Sequence, residues 1–291
     1  MTITGDAVMA DQNNNDLGNA CAGLDAITLD ELRAVAALYD DADGLLIRLA
    51  TWAGERVESA AGKLPDAWQA RIAEATDLAL RQSYDFAFST QGDPAAASAS
   101  SALSRVLAWA QGETWHVIAT GVTGALGGLG GIATTLIDLP VTTTLILRSI
   151  QQIASGYGED LADPAVRAQC VAVFGLAGPL AKDDAAEVGL FTSRLALNGK
   201  VISEMLKLVL ARYSIVVGEK VLAQATPVLG AFAGGAVNPA FTSFYQTMAH
   251  VHFRLRRLER DHDADQLRAC FERIVSVRRK AGRPASIARP A

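Results

Sequence analysis

Residues 117–137 read VIATGVTGALGGLGGIATTLI, a stretch of 21 residues without a charged side chain. When this stretch is drawn as an α-helix at about 100° per residue, its glycines fall on one side and its large apolar residues on the other. The glycine side holds Gly121, Gly124, Gly127, Gly128 and Gly131. Each glycine costs a helix about 1 kcal/mol relative to alanine, so the sequence predicts that a second helix packs closely against this side.

A second uncharged stretch, residues 221–249, has a similar character. Gly230, Gly234 and Asn238 recur at i, i+4 and i+8, and Pro239 predicts a kink or break after them. We predict that the two small-residue faces pack together as a buried apolar hairpin. An aromatic stripe at helical spacing follows, and the stretch then becomes cationic at Arg254, Arg256, Arg257 and Arg260.

The composition predicts an all-α protein, a multi-helix bundle around these two Gly/Ala-rich central helices. Half of the residues are hydrophobic but only 6% are aromatic, which is typical of helices that pack through small side chains. We divide the chain into a disordered arm (1–27), one α-helical domain (28–283) with a hinge near 91–101, and a flexible basic tail (284–291). Two amphipathic stripes support the domain limits: Leu29, Leu32, Val35, Ala36 and Tyr39 near its start, and Leu267, Cys270, Phe271 and Ile274 near its end.

Three dipeptide or spacing signals predict helix starts. Thr28 and Glu31 have the spacing of a capping box, and Asp163 with Pro164 has the pattern of an N-cap followed by a first-turn proline. Asp138 ends the first uncharged stretch just before Pro140, so we interpret it as the N-cap of a helix that begins near Pro140. The alternative for Asp138 is a partly buried carboxylate that pairs with Arg148 or exchanges protons.

Charge and cysteine usage bear on partners and compartment. The net charge of −5 argues against nonspecific binding of nucleic acid, whereas residues 254–291 hold 11 Lys or Arg against 5 Asp or Glu. Cys21, Cys170 and Cys270 are far apart and form no CxxC pair, so we predict reduced thiols in a cytosolic protein. No secretory signal is recognisable at the N-terminus.

Signatures of catalysis or of a cofactor are weak. Gly128, Gly130 and Ala133 satisfy G-x-G-x-x-A, but no acidic residue follows at the spacing that ribose binding needs. His250 and His252 point to different sides of the expected helix, and the acidic residues around His262 are more typical of a solvated turn than of a metal site. We therefore predict no cofactor, no metal and no catalytic residues.

Several of these elements together resemble the EcsC family of bacterial proteins. The resemblance rests on the glycine segment 120–132, on Asp138-Leu139-Pro140, on Tyr157-Gly158, and on the later 227–238 element with the Phe-rich helix after it. It covers roughly residues 50–260 and implies a mainly α-helical protein whose relatives can be encoded beside ABC-transport components. It carries no settled chemistry, and the positions that match its motifs are Gly124, Gly128, Gly131, Asp138, Pro140, Gly230, Gly234 and Asn238.

The leading functional hypothesis is a non-catalytic accessory protein that associates with a membrane or its lipids, linked to an ABC transport system. Arg254, Arg256, Arg257 and Arg260 are the predicted contacts with anionic lipid at the inner face of the cytoplasmic membrane. The alternative is a soluble enzyme or a carrier of a small hydrophobic ligand, with a pocket between the glycine-faced helices. The polar groups that this pocket would use are Asp138, Asn238, Tyr157 and Arg148. A third hypothesis is a structural partner of a membrane transporter.

Overall fold

The fold is all-α in the part of the chain that the structure, a computed structural model, describes. That part comprises residues 17–42, 70, 74, 76–78, 80–81, 132–173 and 230–282. Its regular elements are a 3-10 turn η1 (Gly18–Cys21) and helices α1 (26–42), α2 (Ile132–Gly156), α3 (Pro164–Ala172), α4 (Gly230–Leu258) and α5 (Ala264–Gly282). The residues described between 70 and 81 are helical as well. No strand occurs among these residues, so the all-α part of the predicted fold class is confirmed.

Helices α2 and α4 pack against each other in the centre of the described part. Gln246 on α4 donates a hydrogen bond to Ser149 on α2 at 2.8 Å, and the Tyr157 hydroxyl lies 3.0 Å from His250 Nδ1. The contacts advance along both helices in the same direction, so this part of the pair is not the antiparallel hairpin that we predicted. The glycine faces themselves, residues 117–131 and the side chains of 230–238, lie outside the described residues.

Both central prolines lie inside continuous helices. α2 begins at Ile132 and passes through Pro140, so the interpretation of Asp138 as an N-cap is wrong: it lies almost two turns into the helix. Pro140 cannot donate a backbone hydrogen bond, which costs the helix some stability. The next turn is nevertheless buried in the protein. Within it, Thr144 Oγ1 donates a 2.7 Å hydrogen bond to the Pro140 carbonyl. Pro239 is likewise inside α4, which does not break there.

The two amphipathic stripes predicted near the ends of the domain are confirmed and meet in one core. Leu32, Val35, Ala36 and Tyr39 of α1 are fully buried, and the predicted apolar face of α5 is buried as well. The rings of Tyr39 and Phe271 touch edge to face, with their centroids 5.9 Å apart. The same hydrophobic cluster includes residues from η1 and from α2, α3 and α4, so α1 and α5 are integral parts of the described fold.

The chain before α1 is folded from residue 17, although we assigned residues 1–27 to a disordered arm. Leu17 and Cys21 are buried, and Cys21 forms a disulfide with Cys270 on α5 across a sequence separation of 249 residues. The Cα atoms of the two cysteines are 4.8 Å apart, within the usual range for a disulfide. The prediction of reduced thiols is therefore wrong for this pair, while Cys170 is a free and fully buried thiol.

Of the two other predicted helix starts, one is wrong and one is confirmed. Asp25 caps α1: its carboxylate accepts bonds from the backbone N–H of Thr28 at 2.8 Å and from the Thr28 hydroxyl at 3.0 Å. Thr28 is therefore inside the first turn, and Glu31 does not complete a capping box. At α3 the predicted signal is correct, because Asp163 Oδ1 accepts from Ala165 N at 2.8 Å and Pro164 opens the helix.

Candidate functional site: the arginines at the end of α4

The last turns of α4 and the turn after it carry four arginines in an arc. At about 100° per residue, Arg254, Arg257 and Arg256 follow one another around the axis of α4 in that order and span about 160°. Arg260 lies two residues beyond the end of α4 and shares Tyr157 with Arg257. The side chains at the two edges of the arc are largely buried, with 21% of Arg254 and 16% of Arg256 exposed. The two in the middle are about half exposed, 49% for Arg257 and 46% for Arg260. The four predicted contacts therefore divide into two packed arginines and two that face solvent.

Glu31 of α1 binds one side of the arc. Its carboxylate accepts from Arg254 Nε at 3.0 Å and Nη2 at 2.9 Å, and from Arg257 Nη2 at 2.8 Å. The hydrogen bond from Arg254 and the positive charges of both arginines lower the pKa of Glu31, although burial opposes them. One carboxylate thus serves two guanidinium groups, and this side of the arc keeps one uncompensated positive charge.

Glu159 binds the other side of the arc in the same way. It accepts from Arg256 Nε at 3.2 Å and Nη2 at 3.1 Å, and from Arg260 Nη2 at 3.1 Å. The buried Glu159 carboxylate is again shared by two arginines. We call the two groups the Glu31 clamp (Glu31, Arg254, Arg257) and the Glu159 clamp (Glu159, Arg256, Arg260).

A turn at the end of α2 puts Glu159 in place. Gly158 has φ +77°, the left-handed conformation that closes a helix with a Schellman motif. Its two bonds are present: Gly158 N donates to Ser155 O at 2.9 Å, and Glu159 N donates to Ala154 O at 3.1 Å. The turn reverses the chain against α4 and points the next carboxylate at the arginines. This gives a physical role to the Tyr157-Gly158 pair that the sequence singled out.

Tyr157 lies between the two exposed arginines. Arg257 stacks over its ring, 5.6 Å from the centroid, and Arg260 Nη2 donates a 2.8 Å bond to its carbonyl oxygen. On the inner side its hydroxyl meets His250, whose ring also contacts the Tyr157 ring edge to face. The aromatic ring therefore supports a two-arginine patch, which we call the Arg257–Arg260 patch.

Two titratable side chains behind the patch, His252 and Cys170, are fully buried and uncharged. His252 is fully buried with no hydrogen-bond partner on either ring nitrogen, and burial, helped by the charge of Arg256, holds the pKa of this imidazole well below its usual range. Burial, with a smaller contribution from Glu159, raises the pKa of the Cys170 thiol. These shifts keep both groups neutral, so neither is an activated nucleophile or base at neutral pH.

Two of the acidic residues near His262, Asp263 and Asp265, have structural partners. Asp263 caps α5 by accepting from Gln266 N at 2.8 Å, and Asp265 pairs with Arg268 at 3.2 Å. His262 itself contacts Thr28 and the Leu258 carbonyl. Across the described ranges, no three His, Cys, Asp or Glu side chains come together in a way that could hold a metal ion.

The other residues predicted from the sequence are not brought to this site. Gly124, Gly128 and Gly131 lie outside the described residues. Asp138 and Pro140 lie in the first part of α2, and Gly230, Gly234 and Asn238 lie in the first part of α4; in both cases this is the end of the helix away from the arginines. Of the polar groups proposed for a pocket, Arg148 and Tyr157 are nine residues apart along α2 and its end, about 13 Å of helix, and Tyr157 belongs to the patch.

Sequence reasoning missed Glu31 and Glu159, the two carboxylates that organise the site. Glu31 was assigned to a cap and Glu159 to no role. For Glu159 a signal existed, since a Tyr-Gly pair after a long apolar helix is typical of a helix end that turns the chain. For Glu31 none existed, because its arginines are more than 220 residues away in the sequence.

Comparison with known proteins identifies one family. The model of the EcsC protein family matches residues 60–258, which is more than half of the chain. The chain belongs to the EcsC protein family. The EcsC match includes α2, α3 and α4, whereas η1, α1, α5 and Arg260 lie outside it. No curated protein and no solved structure matches this EcsC chain. Among the residues described, no helix is both long enough and apolar enough to cross a bilayer.

Proposed function

We propose that this EcsC protein is a non-catalytic accessory protein that binds the anionic surface of a membrane through the Arg257–Arg260 patch. One observation carries the proposal: both arginines are about half exposed, although each shares its carboxylate with a second, buried arginine. The two clamps hold four arginines and two glutamates, so together they carry a formal net charge of +2. A cation near an anionic lipid surface contributes about 1 kcal/mol to binding, so two such groups make a weak and salt-sensitive contact.

The contacts around the patch are typical of a preformed binding site, in which the arginines are already held in position, and not of a flexible basic tail. The ring of Tyr157 and the two clamps hold both guanidinium groups in place, so little side-chain entropy is lost on binding. The site of action in this proposal is the inner face of the cytoplasmic membrane, where anionic lipids are common. A component of an ABC transporter is the alternative partner.

The same proposal assigns the glycine-faced helices a structural role. The contact between α2 and α4 supports mutual burial of the two uncharged stretches inside the protein, with lipid contact left to the arginines. On this basis Gly124, Gly128, Gly131, Gly230 and Gly234 allow close helix packing and bind no ligand.

Vesicle flotation tests the proposal. The protein is mixed at low salt with vesicles of phosphatidylcholine alone, or of phosphatidylcholine with phosphatidylglycerol. We expect binding only to the anionic vesicles, release at high salt, and about thirtyfold weaker binding for the double variant Arg257→Gln/Arg260→Gln. Arg81→Gln is the matched control, because Arg81 is an equally exposed arginine that pairs with Asp77 on its own helix.

The control separates the patch from total charge. If Arg81→Gln weakens flotation, per charge removed, as much as the double variant does, the patch has no special role. If the wild-type protein ignores anionic lipid at low salt but is retained by membranes that contain an ABC transporter, the alternative partner replaces lipid in the proposal.

A further inference from the structure

Residues 17–31, which we call the N-terminal clasp, lie over the α4–α5 junction and are held there by side-chain ties. The Cys21–Cys270 disulfide joins the clasp to α5, and Gln266 of α5 donates a hydrogen bond to the Ala22 carbonyl. His262, between α4 and α5, contacts the Thr28 hydroxyl at 3.1 Å. Glu31 is the last tie, through Arg254 and Arg257.

The clasp has little apolar burial of its own. Leu17, Cys21 and Thr28 are its buried residues, Leu24 and Leu29 are only partly buried against the core, and Ile27 is almost fully exposed. The rest of α1 differs, because four consecutive positions of its stripe, from Leu32 to Tyr39, are completely buried in the core. A segment with few buried contacts opens locally at low free-energy cost, so the disulfide is the strongest restraint on the clasp.

We propose that the Cys21–Cys270 disulfide is a redox-sensitive lock that keeps the clasp, and with it Glu31, on the arginines of α4. Reduction would let residues 17–31 open locally while the buried part of α1 stays in the core. The inference rests on the proposed function, because Arg254 and Arg257 would bind an anionic membrane surface once the open clasp has removed Glu31 from them. In this arrangement Glu31 acts as an internal substitute for a lipid phosphate.

The chemistry of the lock is thiol–disulfide exchange with a dithiol reductant. One thiolate of the reductant attacks a sulfur of the disulfide, which breaks the bond between Cys21 and Cys270 and forms a mixed disulfide. The second thiol of the reductant closes on that mixed disulfide, so the reductant leaves oxidised. The protein gains two electrons and two protons as two thiols. Cys21 is the less buried of the two residues and is the point of attack.

Flotation of four proteins tests the lock. Oxidised and dithiothreitol-treated wild type are compared with Cys21→Ser/Cys270→Ser, Glu31→Gln and Asp30→Asn. We expect reduction to tighten binding to anionic vesicles about fivefold, the effect of one charge near the surface. The serine variant should bind like reduced wild type, and Glu31→Gln should bind tightly whether or not it is reduced.

Asp30→Asn is the matched control, because Asp30 is exposed on the same helix and pairs with Arg33, away from the arc. It removes the same charge but leaves the Glu31 clamp intact, so it should still respond to dithiothreitol. A response to reduction that persists in Glu31→Gln would overturn the role of Glu31. Full alkylation of Cys21 and Cys270 in the untreated, air-oxidised protein would overturn the lock itself.

Hydrogen exchange gives a readout that does not depend on lipid. On reduction, amide protection should fall across residues 17–31 and persist across residues 32–39. If protection of the clasp is unchanged, the lock is wrong even where the arginine patch binds vesicles. If the clasp opens but no form of the protein floats with anionic vesicles, the lock stands as a conformational device and the proposed function fails.

Discussion

The two clamps at the end of α4 have the same chemistry but are built differently. In each, one glutamate binds one buried and one exposed arginine. Glu159 is positioned by the backbone turn at Gly158, inside the family match, whereas Glu31 comes from a helix outside that match and is tied down through a disulfide. One clamp is therefore positioned by a backbone turn, and the other depends on a restraint that reduction removes.

Neutralising Glu159 should have the largest effect on stability. In Glu159→Gln the mostly buried Arg256 loses the carboxylate that it binds at 3.1 Å, and breaking a buried ion pair from one side costs about 3 kcal/mol or more. The measurement is the free energy of unfolding in urea. A loss no larger than that of Glu31→Gln would remove the distinction between the two clamps.

The turn that holds Glu159 should be sensitive to a single methyl group. In Gly158→Ala the left-handed backbone costs about 1–2 kcal/mol, and steric overlap is not the reason, because the new Cβ would lie 3.5 Å from Arg260 Nη1, an ordinary contact. Gly156→Ala is the control: Gly156 is helical with nothing near its would-be Cβ, so alanine there should leave stability unchanged or raise it by up to about 1 kcal/mol. Equal urea midpoints for the two variants would contradict this account of the turn.

The buried His252 behind the Glu159 clamp should make stability depend on pH. Its pKa is lowered in the folded protein, so below about pH 6.5 the unfolded chain binds a proton that the folded chain does not. The free energy of unfolding therefore has its full value above the unfolded pKa. Below that pKa it falls by about 1.4 kcal/mol per pH unit. His252→Leu should flatten the unfolding free energy between about pH 6.5 and 5.5; a slope identical to that of wild type would show that the pKa of His252 is the same in the folded and unfolded protein.

Glu31→Gln should have the smallest effect on stability, about 1 kcal/mol. The Glu31 carboxylate is more exposed than that of Glu159, 24% against 6%, so water screens its ion pairs and hydrates the site when the carboxylate is neutralised. Urea denaturation of oxidised and reduced protein gives the comparison. A loss as large as that of Glu159→Gln would mean that Glu31 is also a permanent part of the fold.

Local patterns predicted the helices well. The stripes of α1 and α5, and the cap at Asp163, follow from spacings within one or two turns, where sequence and structure are directly linked. The errors at Thr28 and Asp138 are also local. Asp25 and Thr28 have the same three-residue spacing as Thr28 and Glu31, and a proline after an acidic residue is typical of a helix start but does not require one.

The site itself could not be predicted, because its pairings are distant in the sequence. The arginines were identified as a group from their position after an uncharged stretch, but nothing near them indicated which would be buried. That depends on carboxylates from α1 and from the end of α2. The same holds for Cys21 and Cys270, whose separation gives no hint of contact. Their spacing in the sequence places the four arginines near one another, and tertiary packing determines which of them face water.

The shared direction of α2 and α4 has an electrostatic consequence. Both helices end at the arginine arc, so the partial negative charges of their last carbonyl groups converge there, and Arg260 binds one such group directly at Tyr157. Peptide carbonyls carry no ionisable proton. When acid protonates the glutamates, the partial negative charges of these carbonyl groups are unchanged. They continue to attract the guanidinium groups at low pH.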